Sequence, residues 1–142
     1  MWCEVLAIPA LNIDAELEVT LMDWDLVGSH DFMGRVIIPL EPLFDKEPDQ
    51  SWHVLGGKEG AEDGESRGEV ELSLHWWFNP ELEPEFFLDM VDNHHQREPN
   101  ELHLAVIQAR GLPGVGSKLF GGGQTCDPLV RVQCGSEKEV RT

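Results

Sequence analysis

The chain has 142 residues, about the length of one domain, and 41% of them are hydrophobic, which is enough for a packed core. Its 27 acidic and 10 basic residues give a formal net charge of −17. A nucleic-acid-binding protein needs a basic surface, so this charge argues against that class, and it also argues against docking on anionic lipid by charge alone. A cationic ligand, such as a metal ion or a basic partner, fits the charge better.

The sequence carries no targeting or membrane-spanning segment that we can identify. No apolar run approaches the roughly 20 residues of a membrane span, and the N-terminus lacks the basic region of a signal peptide. The three cysteines, Cys3, Cys126 and Cys134, are an odd and sparse set that does not indicate a disulfide framework. We therefore expect a reducing, cytoplasmic setting.

Short segments with alternating polar and apolar residues recur along the chain, and this period of two predicts β-strands. After an apolar run at 2–8, the predicted strands are Ala15–Asp23, Phe32–Leu40, Trp52–Leu55, Glu69–Trp77, Glu101–Ala109 and Leu129–Cys134. Glycine-rich loops are predicted at 56–68 and 111–123. Because no long helix is predicted, the pattern favours an all-β, antiparallel fold, with a β-sandwich as the architecture.

Residues 79–100 differ in character from the predicted strands. They contain Pro80, Pro84 and Pro99 together with many acidic residues. This composition predicts a linker that holds one helical turn at 85–91.

Three carboxylates cluster between the first two predicted strands. Asp23, Asp25 and Asp31 lie at the end of one strand and before the next, so a folded-back loop can turn all three inward. Ca²⁺ takes six to eight oxygen ligands, and a flexible, loop-borne carboxylate set favours it over Mg²⁺. The alternative is an ordinary solvated acidic turn.

The residues around this loop resemble a known family. Residues 17–25 and 31–36 resemble the third calcium-binding loop of a C2 domain with its flanking strands. Residues 52–55 and 68–74 resemble the last strands of that domain. The order is similar to the circular variant found in multi-C2 proteins such as ferlins.

A second resemblance follows in the last third of the chain. Residues 100–113 resemble the opening strand of another C2 domain, and residues 126–132 resemble the family's Ser-Asp-Pro-Tyr-Val-Lys-Val motif. The resemblance implies that 1–78 is the C-terminal half of a first C2 domain, 79–99 a linker and 100–142 the N-terminal part of a second. The chain is then expected to be a fragment of a larger tandem-C2 protein.

The resemblance also implies a set of metal ligands. Asp23, Asp25 and Asp31 match the third-loop ligands, and Asp127 matches a first-loop ligand, whereas the other first-loop acid is missing from 114–118. Neither part therefore carries a full site. C2 domains occur in two circularly permuted strand orders, which allows a hybrid sandwich as an alternative to two incomplete domains. In that hybrid, residues 69–77 pair with 101–109, and Asp127 approaches the other three ligands.

The function implied by the resemblance is calcium-dependent binding to anionic phospholipid by a non-enzymatic, cytoplasmic protein that associates peripherally with membranes. Leu26 and Val27, at the loop tip, match membrane-inserting positions, with ordinary loop packing as the alternative, and Trp24 is expected to pack beneath the loop. A calcium-independent module that binds protein partners is the rival interpretation. An enzymatic role would require a catalytic domain elsewhere in a longer chain.

Overall fold

The computed structural model describes residues 4–24, 30–58, 66–82, 98–113, 128–135 and 140–141. Its eight strands are β1 (Glu4–Pro9), β2 (Glu16–Asp23), β3 (Asp31–Pro39), β4 (Asp49–Val54), β5 (Glu69–Trp77), β6 (Glu101–Arg110), β7 (Pro128–Cys134) and β8 (Val140–Arg141). The described ranges also contain two short 3-10 helices, at Glu41–Leu43 and Pro80–Leu82. Within these ranges, no helix is long and apolar enough to cross a membrane.

The strands form two antiparallel sheets of four strands each. The first sheet has the order β1-β6-β5-β4, and the second has the order β3-β2-β7-β8. The all-β antiparallel sandwich predicted from the alternating sequence is therefore confirmed. The pairing of β5 with β6, which the hybrid sandwich requires, is also present, from Glu69 opposite Arg110 to Trp77 opposite Glu101. The division of the chain into parts of two C2 domains stays a prediction.

One hydrophobic core lies between the sheets, and the alternation of each strand explains its composition. Along β5 every second side chain is buried, and the same holds for most of β2 and β6. The fully buried side chains with the largest volumes come from both sheets, from the positions directly after β3 and β4, and from both parts of the chain: Leu17, Leu21, Met33, Leu40, Leu55, Leu72, Leu74, Leu102, Leu104, Val19, Val70 and Val106. Burial of this apolar surface is the main force that holds the two sheets together.

A cluster of hydrogen-bonded polar residues lies where the chain leaves β5 and enters β6. The backbone N–H of Asn79 donates to Oδ1 of Asn100 at 2.6 Å, and Nδ2 of Asn100 donates to the carbonyl of Asn79 at 2.9 Å. Burial raises the pKa of Glu101, but hydrogen bonds with Asn79, His103 and Trp77 outweigh it, so this pKa lies below its ordinary value. These hydrogen bonds hold the two ends of the predicted linker close together. The helical turn predicted at 85–91 lies outside the described residues.

Candidate functional site

The structure brings two of the predicted metal ligands together at one end of the second sheet. Asp23 ends β2, Asp31 begins β3, and the two residues are directly paired across the antiparallel ladder. The Asp23 side chain is 4% exposed, whereas Asp31 is exposed. A shift in strand register between Leu21 and Met22 precedes this pair. We call this end of the second sheet the Asp23 end.

The second part of the chain reaches the same place through β7. Pro128, which begins β7 and directly follows Asp127 in the sequence, is paired with Asp23. The strand order thus joins the segment that carries the proposed first-loop ligand to the segment that carries the third-loop ligands. Asp127 itself lies outside the described residues, as do Asp25, Leu26 and Val27. The four-carboxylate site and the membrane contacts of the loop tip stay predictions.

Hard oxygen donors are the ligands that Ca²⁺ prefers, and the two described carboxylates fit that preference. Two carboxylates supply at most about four oxygens, whereas Ca²⁺ takes about six to eight. In keeping with that count, no group of three or more His, Cys, Asp or Glu side chains that could hold a metal occurs in the described part of the chain. A complete site would need Asp25, Asp127, backbone oxygens or water in addition.

Trp24 lies next to the candidate ligands and is 48% exposed. The loop beneath which it is expected to pack lies at 25–29, outside the described residues, so that expectation stays a prediction. The residue directly follows Asp23, at the point where β2 has ended and no longer fixes a side chain against the core. An exposed indole beside the candidate ligands is suited to the boundary between water and lipid, where Trp is enriched.

A groove that the sequence analysis did not identify lies beside Asp31. Its volume is about 390 Å³, and its lining includes three cations, Arg35 on β3, Arg131 on β7 and Lys58 after β4. These are three of only 10 basic residues in the chain. We call this concave surface the basic groove. The alternation around Arg131, between the buried Val130 and Val132, could have predicted that it points outward, but the convergence of three separate segments could not be read from the sequence.

The basic groove is lined by more cationic side chains than carboxylates. Two carboxylates, Glu18 and Asp31, share the lining with the three cations, and Nε of Arg35 lies 3.3 Å from Oε1 of Glu18. A cation bound at Asp31 would neutralise one of these two carboxylates. The groove would then present a larger excess of positive charge to an anionic ligand.

Comparisons with known proteins agree with this architecture. The model of the C2 domain family matches residues 1–55 and 100–142, the two segments that supply most of both sheets. RasGAP-activating-like protein 1 of Mus musculus is 28% identical over 92 residues, which cover 64% of this chain and 12% of that protein. The chain therefore spans about an eighth of the length of this relative. The comparison of this chain with solved structures found no match. The family match covers more than half of the sequence, and the chain belongs to the C2 domain family.

Proposed function

We propose that this chain is a calcium-dependent phospholipid-binding module with no catalytic activity of its own. C2 domains are non-catalytic modules that bind membranes or proteins. The observation that carries the calcium-dependent, lipid-binding proposal is the position of Asp31. This residue is paired with Asp23 and also lines the basic groove, so one position links the candidate metal ligands to a cationic surface.

The residues at the Asp23 end have distinct roles in this proposal. Asp23 and Asp31, with Asp25 and Asp127, would hold Ca²⁺ through carboxylate oxygens. When bound, Ca²⁺ would supply positive charge and coordination positions for lipid phosphate oxygens. Without a cation, the same carboxylates repel an anionic membrane, because like charges at short range disfavour approach.

The neighbouring surface would contact the membrane itself. Arg35, Lys58 and Arg131 would bind headgroup phosphates, since guanidinium and ammonium groups pair strongly with phosphate oxygens. Leu26 and Val27, at the predicted loop tip, would enter the acyl boundary, and the exposed Trp24 would lie at the headgroup level. The protein would associate peripherally with the cytoplasmic face of a membrane, as one module of a larger tandem-C2 protein.

Vesicle sedimentation tests this proposal. Vesicles of phosphatidylserine and phosphatidylcholine are expected to pellet the chain in Ca²⁺ but not in a calcium chelator. The variant Asp23→Asn/Asp25→Asn/Asp31→Asn should lose the calcium-dependent fraction. The matched control Glu47→Gln/Asp49→Asn/Glu81→Gln removes three exposed carboxylates elsewhere and should pellet like the parent chain. Equal pelleting with and without Ca²⁺, or no pelleting of a folded chain, would overturn the proposal.

A calcium-independent module that binds protein partners is the second candidate. It is favoured by the first-loop acid that is missing from 114–118 and by the net charge of −17, which suits a basic protein better than a membrane. Under this alternative, the triple Asp→Asn variant would bind a partner as well as the parent chain does. Vesicle sedimentation would then be insensitive to Ca²⁺.

A further inference from the structure

A second groove lies on the second sheet near the start of β2, and it adjoins the basic groove, with which it shares Glu18 and Gln133. Its volume is about 620 Å³, and it is formed by the connection between β1 and β2 together with parts of β2, β3 and β7. Glu16 begins β2 at this end, whereas Asp23 ends the same strand at the other. We call this surface the acidic groove, because its lining includes Asp14, Glu16 and Glu18.

Exposed apolar side chains contribute to the acidic groove. Leu11 is 74% exposed and Ile37 is 39% exposed, and both line the concave surface together with the buried Ala10. A concave surface with uncovered aliphatic groups gains free energy when an apolar side chain of a ligand fills it. The groove is therefore suited to an aliphatic anchor residue.

The charge of the acidic groove indicates which residues of a ligand should flank that anchor. No Lys, Arg or His is among the described residues that line it. Glu18 lies within 3.3 Å of Nε of Arg35, whereas Asp14 and Glu16 are exposed and form no ion pair with another described residue. Two uncompensated carboxylates beside exposed aliphatic groups complement a segment that combines basic and aliphatic residues.

We propose that the acidic groove docks a basic segment of a partner protein in which Lys or Arg residues flank an aliphatic anchor. Charge complementarity selects this occupant over a second copy of the chain, because two chains of net charge −17 repel each other. It also excludes an anionic lipid surface as the ligand of this groove. The docking is independent of calcium and does not rest on the proposed lipid function.

The position of the groove allows docking together with occupation of the Asp23 end. Glu16 and Asp23 are the first and last residues of β2, and the seven steps between them span about 23 Å at about 3.3 Å per residue. A short peptide segment centred on Asp14 and Glu16 would therefore leave the candidate metal ligands uncovered, while it would adjoin the basic groove at Glu18 and Gln133. The chain could hold a basic protein at one end while its other end faces a different ligand.

The test uses the full chain, a calcium chelator and no lipid, so that failure of the lipid proposal leaves the result unaffected. The probe is a fluorescein-labelled peptide, Lys-Lys-Leu-Leu-Lys-Lys, followed by fluorescence anisotropy. Its matched control, Lys-Lys-Ser-Ser-Lys-Lys, keeps the charge and removes the anchors. Saturable binding of the leucine peptide is expected, with affinity that falls as salt is added.

Exposed side chains in the groove permit variants that leave the core intact. Asp14→Asn/Glu16→Gln should weaken binding of the leucine peptide by about tenfold, the effect of losing two partly screened ion pairs. Leu11→Ser should weaken it by about threefold through lost apolar contact. The control Glu47→Gln/Asp49→Asn removes the same charge away from the groove and should change the affinity by less than about twofold.

Three results would overturn the inference. The first is an equal loss of affinity in the two double variants, which would mean diffuse attraction to an acidic protein. The second is equal binding of the serine and leucine peptides, which would remove the role of the anchor. The third is no binding of the leucine peptide to the folded chain.

Discussion

Asp23, the last residue of β2, is paired with Pro128, the first residue of β7. The two residues are far apart in the sequence, yet the antiparallel ladder makes them neighbours in the second sheet. Because Asp23 is also paired with Asp31 on β3, the end of β2 lies between segments from both parts of the chain. The segments that resemble the first and third loops of a C2 domain are thus joined to one end of one sheet.

This pairing predicts that the first part of the chain cannot fold alone. A chain of residues 1–78 would lack β6, which lies between β1 and β5, and β7, which lies beside β2. The core would be open and the strand edges unpaired, and isolated strand pairs are at best marginally stable. We expect residues 1–78 to give no cooperative thermal transition by far-ultraviolet circular dichroism, while the full chain gives one. A sigmoidal transition in the shortened chain would contradict the shared sandwich.

The glycine that directly precedes β5 predicts a specific loss of stability. Gly68 has φ +95°, and a Cβ atom there would lie 2.5 Å from the carbonyl oxygen of Arg110. Gly68→Ala should therefore lower the free energy of unfolding by about 1–3 kcal/mol, through backbone strain and steric overlap. The matched control is Gly135→Ala, where φ is +54° and a Cβ would lie 3.5 Å from Cβ of Ala15. Gly135→Ala should lower the free energy of unfolding by no more than about 1 kcal/mol.

Urea denaturation of both glycine variants measures the difference directly. The midpoint should fall clearly further for Gly68→Ala than for Gly135→Ala, with similar slopes for the two curves. Equal midpoints would mean that the approach of Gly68 to Arg110 does not constrain the fold.

The pH dependence of stability near neutrality should reflect His53. Burial lowers the pKa of His53 below 6.5, and the neighbouring Asp49 opposes this shift with a smaller effect. The unfolded chain then takes up a proton at higher pH than the folded chain. Stability contributed by the neutral ring is present above the unfolded pKa of about 6.5 and is lost as the pH falls below it.

Urea midpoints measured at neutral pH and at about pH 5.5 test this expectation. The parent chain should be less stable at the lower pH, and His53→Gln should reduce the difference. The lowered pKa values of Glu71 and Glu101 lie below 4.5, outside this window. An unchanged pH difference in His53→Gln would assign the effect to another group.

Local sequence patterns predicted most strands well because each strand carries its own burial pattern. The alternation over 69–77 coincides with β5, and the predicted strand at 101–109 is one residue shorter than β6. Proline residues explain two elements that were not predicted, since Pro42 and Pro80 lie in the short 3-10 helices. Proline favours the first turn of a helix because its φ is preset and it needs no hydrogen-bond donor there.

Contacts between distant segments were harder to predict than the strands themselves. The alternation within β2 fixes which face is buried, but it does not specify that β7 lies beside it. The pairing of β5 with β6 could be predicted only from the resemblance to C2 strand orders. The basic groove combines residues from β3, β7 and the turn after β4, and no local pattern predicts such a combination. The exposure of Trp24 likewise depends on where the strand ends.

The central claim, that the carboxylates at the Asp23 end bind calcium, is tested most directly with Tb³⁺, an oxygen-seeking ion that replaces Ca²⁺. Trp24 directly follows Asp23, so its indole can sensitise the luminescence of a bound Tb³⁺. We predict a saturable signal that Ca²⁺ displaces and Mg²⁺ does not. The signal should be strongly reduced in Asp31→Asn, an exposed position where the substitution spares the core. Trp24→Phe should lose the sensitised luminescence but should still bind the ion. No signal from the folded parent chain, or an equal signal from Asp31→Asn, would contradict the claim.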